Sequence, residues 1–261
     1  MRKLIALLLT AVLLLTLAAC GTNDHPGSTG ETPNNSQNNN NDQNPGKTTE
    51  GNVDVQTGAT PTLPEPQGVD NYFDDAAFVG DSVTLKLKYY HAETNALGGA
   101  TFLCAGNYGV HNAVDNVLYV TYQGEEMTPQ DALAACGAKK VFIMLGMNDI
   151  GLYGVEDTIL YWSKLIENIR SKCPGIFIFI QSGTPIVTGG ERGKLTNARM
   201  DEYNVELKKF CLENGCFYVD VATSMKDANG GLKKQYCSDN YVHMTPEGCQ
   251  VWVEVLKDYL S

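Results

Sequence analysis

Four short stretches of the chain carry residue types that could cooperate in acyl transfer. In Gly80-Asp81-Ser82-Val83 a serine follows an apolar run and opens a helical pattern. Its backbone amide is then one of the unpaired donors at a helix start, where a developing oxyanion is favoured. The plainer use of such a stretch is a turn and a cap, and the fuller elbow with a second glycine is absent because Thr84 stands there. In Ala105-Gly106-Asn107-Tyr108-Gly109 either glycine could let a backbone amide approach a reacting oxygen, although glycines after strands are common in ordinary turns. In Gly146-Met147-Asn148-Asp149 the Asn148 amide is a neutral donor that can be aimed at negative charge, its everyday use being an Asx turn. In Ser238-Asp239-Asn240-Tyr241-Val242-His243 a histidine, the side-chain type that titrates near neutrality, stands near a carboxylate able to fix its tautomer. Of the other histidines, His25 lies in a polar N-terminal stretch, and His91 and His111 fit surface or supporting positions.

The order of these stretches, each after an apolar run, with the last histidine ahead of a capped final helix, resembles the SGNH or GDSL-type hydrolases. The resemblance covers nearly all of residues 76–260. It implies a three-layer α/β/α fold of flavodoxin-like kind with a central, mainly parallel sheet. It implies Ser82 as nucleophile, His243 as general base, and an oxyanion hole formed by the amides of Ser82 and Gly109 with the Asn148 side chain; Gly106 is the alternative to Gly109. The implied reaction is ester hydrolysis through an acyl-serine, with no metal ion and no organic cofactor. The acid departs from the family pattern, which places Asp three residues before the histidine. Here that position is Asn240, and Asp239 is one residue further away. Either the loop carries an extra residue and Asp239 turns in, or Asn240 orients the imidazole without neutralising it. Asp239 is preferred, because a neutral partner lowers turnover substantially.

The elements that must position these residues are legible as apolar runs. Ala76 to Val79, Thr101 to Cys104, Val141 to Leu145, Ile176 to Ile180 and Phe217 to Val221 are continuous rather than alternating, as strands covered on both faces are. Helical patterns lie at Val83 to Tyr90, Pro129 to Cys136, Val155 to Lys172, Asn197 to Glu213 and Pro246 to Tyr259. Thr128-Pro129 and Thr245-Pro246 each place a capping hydroxyl before a proline that needs no amide partner. Strand and helix therefore alternate, which predicts a parallel sheet wrapped on both sides, with chemistry at the carboxyl ends of its strands.

The N-terminal part reads differently. Residues 1–20 resemble a lipoprotein signal: Arg2 and Lys3, an apolar run from Leu4 to Ala19, then Leu17-Ala18-Ala19-Cys20, similar to a lipobox whose cysteine is acylated. Residues 21–67, dominated by Asn, Gly, Thr, Pro, Ser and Gln, predict a disordered polar tether, because they carry too little apolar surface to offset chain entropy. Residues 68–261 are the catalytic domain of this reading. The expected location is the extracytoplasmic face of the cell membrane, with membrane contact through the lipid anchor only. A formal net charge of −11 makes the chain a poor partner for nucleic acid. Eight cysteines without a CxxC pair disfavour a zinc site; Cys136, Cys173, Cys211 and Cys216 fall along one expected sheet edge, where cross-links and reduced thiols are both compatible with the pattern. A surface-anchored member of the family suggests an O-acetylated glycan as substrate. The alternatives are a lysophospholipase or thioesterase, and a non-catalytic substrate-binding lipoprotein.

Overall fold

A computed structural model describes residue 62 and residues 71–260. The expected signal at 1–20, the acylation site Cys20, and all of the expected tether except Thr62 lie outside the described residues.

In chain order the elements are β1 (Ala76–Gly80), α1 (Ser82–Thr94), β2 (Thr101–Cys104), α2 (Val110–Asp115), β3 (Val120–Tyr122), β4 (Glu125–Met127), α3 (Pro129–Cys136), β5 (Lys140–Met144), α4 (Met147–Ile150), α5 (Val155–Lys172), β6 (Phe177–Gln181), α6 (Asn197–Glu213), β7 (Phe217–Val219), α7 (Ala222–Met225) and α8 (Pro246–Asp258). Five strands form one parallel sheet in the order β2-β1-β5-β6-β7. On one side α1 packs against α8; on the other α5 packs against α2, α3 and α6, giving the expected three layers. Both predicted caps form, with the hydroxyls of Thr128 and Thr245 accepting from the amides of Asp131 and Gly248.

Register is held by a row of phenylalanines crossing all five strands. Phe102, Phe78, Phe142, Phe179 and Phe217 are paired neighbours in the ladders. Their rings stack at centroid distances of 5.0, 5.0, 4.5 and 4.7 Å in that order. Each such pair contributes about 0.5–1.5 kcal/mol beyond the area it buries. A slip of one residue in any strand would turn its phenylalanine to the opposite face, so the row specifies register as well as stability.

After β1 the chain moves outward to β2 and then crosses back to β5 on the other side of β1. The strand order therefore reverses between β1 and β5, and the crevice at their carboxyl ends is where an open parallel sheet accepts ligands. Gly80-Asp81-Ser82 leaves β1 at this point and Gly146-Met147-Asn148 leaves β5.

The periodicity did not foresee α2, α4, α7 or the β3–β4 hairpin. These have three to six residues each, too few for a helical or alternating period to register. All seven described cysteines are free thiols, so no cross-link joins the four at the sheet edge. Among the described residues no helix is long and apolar enough to cross a membrane.

Candidate active site

Ser82 is the first residue of α1, and Asp81 is its N-cap, accepting from the Val83 amide at 2.8 Å. His243 lies in the loop that enters α8. Its Nε2 is 2.9 Å from Ser82 Oγ, across a sequence separation of 161 residues. On the other side of the ring, His243 Nδ1 is 2.6 Å from Asp239 Oδ2. An ionised carboxylate only accepts, so Nδ1 carries the proton and Nε2 presents its lone pair to the serine hydroxyl.

Asp239 reaches this position because the loop turns tightly around it. Its Oδ1 accepts from the amides of Tyr241, Val242 and His243 at 2.9, 3.1 and 3.2 Å, and from the Cys237 thiol at 3.2 Å. Asn240 absorbs the extra residue by adopting φ 57°, in the left-handed region that Asn tolerates better than most side chains. Partial burial pushes the Asp239 carboxyl upward, but the hydrogen bonds from His243, Cys237 and the backbone outweigh it and hold the group well below the ordinary carboxylate range.

The donors on the other side of Ser82 are more heavily engaged than the sequence suggests. Among the described residues Ser82 N has no protein acceptor. Asn148 Nδ2, half-buried in α4, donates to Asp81 Oδ2 at 3.0 Å and to the Tyr108 carbonyl at 3.1 Å. The Gly109 amide donates to Asn112 Oδ1 at 2.9 Å, closing the first turn of α2. An oxyanion beside Ser82 would thus receive a free hydrogen from Ser82 N and shared or redirected ones from Asn148 and Gly109. Of the two glycines, Gly106 is exposed with open space around it, whereas Gly109 is buried where a Cβ would strike the Asp149 carboxylate.

Asp81 is fully buried beside these donors. Desolvation raises its carboxyl to about 6, against the opposing effect of the Val83 and Thr84 amides and of His243.

Two residues of the site were not singled out as functional by their sequence. Asp149 is buried, and its carboxylate accepts from the amides of Val110 and His111 at 2.9 and 3.1 Å and contacts His111 Nδ1 at 3.0 Å. The His111 ring is sandwiched between Tyr153 and Tyr161, each at a centroid distance of 3.8 Å. Asp149 thereby ties the Gly109 loop to the Asn148 loop. The signal was its place directly after Asn148, which a capping role explained equally well. His91 lies away from this cluster, stacked on Phe102 with its Nδ1 accepting from the Leu97 amide. A cleft of about 630 Å³ lined by Leu212, Phe217, Tyr218, Val255 and Tyr259 sits at the outer edge of β7 and contains none of the residues around Ser82.

Residues 78–251 match the GDSL-like Lipase/Acylhydrolase family. The chain belongs to that family. No curated protein matches it. Among solved structures, this GDSL-like chain is similar to a GDSL-like lipase from Bacteroides thetaiotaomicron VPI-5482, with 17% identity, 71% of this chain and 86% of the other covered, and a TM-score of 0.57. It is also similar to a carbohydrate esterase family 3 protein from Talaromyces cellulolyticus, with 13% identity, 71% and 95% coverage and a TM-score of 0.51. A third is the C-terminal catalytic domain of Streptococcus pneumoniae peptidoglycan O-acetyltransferase A, solved with a methylsulfonyl adduct, with 14% identity, 71% and 91% coverage and a TM-score of 0.50. At these identities the likeness is one of fold, and the three-layer α/β/α architecture of the GDSL-like domain is common to all.

Proposed function

We propose that this member of the acylhydrolase family is a serine esterase, with Ser82 as nucleophile, His243 as general base and Asp239 as the group that orients His243. The supporting observation is the continuous relay from Ser82 Oγ to His243 Nε2 at 2.9 Å and from His243 Nδ1 to Asp239 at 2.6 Å. A binding module has no need for these three side chains to converge.

In this reading His243 Nε2 takes the proton as Ser82 Oγ attacks the ester carbonyl. The tetrahedral oxyanion accepts from the Ser82 amide, and from Gly109 N and Asn148 Nδ2 as these loosen from Asn112, Asp81 and the Tyr108 carbonyl. His243 then protonates the leaving alcohol, and water frees the acyl group by the reverse exchange. The chemistry of these steps requires neither a metal ion nor a cofactor.

The substrate we favour is a small O-acyl ester, an O-acetyl group on carbohydrate. Its support is the naming of two similar folds after carbohydrate or peptidoglycan chemistry. The lysophospholipase or thioesterase reading has its own observation: Leu152 and Tyr153, 75% and 50% exposed, follow the Asn148 loop and would suit a longer acyl chain. The extracytoplasmic, lipid-anchored location proposed for the chain rests on the lipobox-like run ending at Cys20.

An organophosphonate probe is expected to label the wild-type protein at Ser82 and to leave Ser82→Ala unlabelled. Labelling that persists in Ser82→Ala overturns the assignment. Rates on acetyl and long-chain p-nitrophenyl esters separate the two substrate readings.

A further inference from the structure

We propose that Arg192 forms a subsite for an anionic group on the substrate, so that the ester hydrolysed here is carried by an alcohol bearing a carboxylate or phosphate. The inference rests on the esterase reading above and names the substrate class of that site.

The loop between β6 and α6 folds back as a small hairpin closed by reciprocal backbone hydrogen bonds between Arg192 and Leu195, at 3.2 and 3.0 Å. This hairpin is docked on the loop that carries His243. The Val187 amide donates to the Tyr241 carbonyl at 3.0 Å, and Gly190 comes so close to the Asn240 carbonyl that a Cβ there would lie 2.7 Å from it. The Arg192 guanidinium lies over the Tyr241 ring, its central carbon 3.9 Å from the centroid. Tyr241 is two residues from His243, and its amide donates to the same Asp239 that orients His243.

Stacking uses the face of the guanidinium and leaves its edge N–H donors available to a ligand. Among the described residues those donors have no hydrogen-bond partner, and Arg192 has no ion-pair partner. The neighbouring carboxylate, Glu191, is already engaged, its Oε1 accepting from the Asn197 amide at 2.6 Å. Arg199, at the start of α6, donates to the carbonyl of Ile150 at 3.3 Å and so ties α6 to the end of the α4 turn that carries Asn148.

A freely moving surface arginine would lose side-chain entropy on engaging a ligand. One already fixed by an aromatic face and a hairpin loses less. The location is also specific. The chain is formally −11, so its general field repels anionic substrates. An unpaired cation held over Tyr241, two residues from His243, supplies the local attraction such substrates need. A planar fork suits a carboxylate or a phosphate in two-point contact.

The test uses three sugars O-acetylated at the same hydroxyl and differing only at C6: a neutral methyl glucoside, the corresponding uronate and the 6-phosphate. The quantity read is the ratio of kcat/KM for each charged ester to that for the neutral one. The expected ratio is about 10 in the wild type at low salt, falling towards 1 in Arg192→Gln and in about 0.5 M salt, with partial recovery in Arg192→Lys. The larger of the uronate and phosphate ratios identifies the anion. Lys209→Gln, at the other end of α6 beside Glu206, removes the same charge and is expected to keep the ratio. A wild-type ratio near 1, or a ratio that survives Arg192→Gln, overturns the subsite. Turnover of p-nitrophenyl acetate reports on the esterase reading by itself: its absence sinks that reading, whereas its presence with a ratio of 1 sinks only the subsite.

Discussion

Replacing Asp239 by Asn should reduce kcat by about a thousandfold while leaving the fold intact. The wild-type carboxylate uses its two oxygens separately: Oδ1 gathers three backbone amides and Oδ2 faces His243 Nδ1. In Asp239→Asn the remaining oxygen must stay with the three amides, since the flipped amide would set an NH2 group against three N–H donors. The new NH2 therefore faces Nδ1, which must accept, and the ring proton moves to Nε2, the nitrogen that takes the proton from Ser82 in the mechanism proposed above. Returning the ring to the productive tautomer breaks that hydrogen bond and costs about 2 kcal/mol. The lost attraction between carboxylate and imidazolium adds about 2 kcal/mol. That figure lies between the limits for water and for a protein surface, because the Asp239 side chain is 35% exposed. The sum, about 4 kcal/mol, is roughly a factor of 10³, less than the 10⁴ seen for a buried equivalent. Steady-state kinetics on p-nitrophenyl acetate measures it, with circular dichroism to check folding. Asn240→Gly, which suits φ 57° and removes a side chain without a hydrogen bond among the described residues, should stay within about threefold of wild type. If Asp239→Asn keeps more than a tenth of the activity while Asn240→Gly loses it, the orienting role belongs to Asn240.

The two glycines after β2 should respond in opposite ways. Gly109→Ala forces a Cβ into the Asp149 carboxylate and should cost about 2–4 kcal/mol, seen as a lower Tm together with lost turnover; Gly106→Ala faces open space and should stay within about 0.5 kcal/mol of wild type. Asp81 makes stability depend on pH with a definite sign. Its native carboxyl is raised to about 6 from 3.8, so the folded state holds a proton that the unfolded chain releases, and stability falls as pH rises through that window. In Asp81→Asn this decline is removed, and the unfolding free energy of the variant relative to wild type should rise by about 2–3 kcal/mol from pH 4 to 7 in denaturant titrations. A constant difference would show that Asp81 does not titrate there. Asp239 has the opposite sign: its depressed carboxyl stabilises above about pH 4 and loses that contribution as the pH falls further. Cys20→Ala should release the protein from the membrane fraction of the producing cells, and its retention there would count against acylation.

Much of this protein is determined by local sequence. Apolar runs such as Val141 to Leu145 specify strands covered on both faces, because burial on two sides leaves no polar positions to alternate. Thr128-Pro129 and Thr245-Pro246 start helices through contacts spanning three residues, and the order of the four short stretches suffices to pair Ser82 with His243 as candidates. What the chain alone leaves open is decided by backbone angles and long-range contact. Whether Asp239 or Asn240 faces the imidazole depends on the left-handed turn at Asn240, which both residue orders allow and only the docked loop selects. That position 109, and not position 106, has no room for a side chain depends on Asp149, forty residues on in sequence, whose carboxylate occupies the space a side chain would need. The engagement of Asn148 by Asp81 and by the Tyr108 carbonyl is likewise invisible in the sequence, because it arises where the strand order reverses and brings three separate strand ends together.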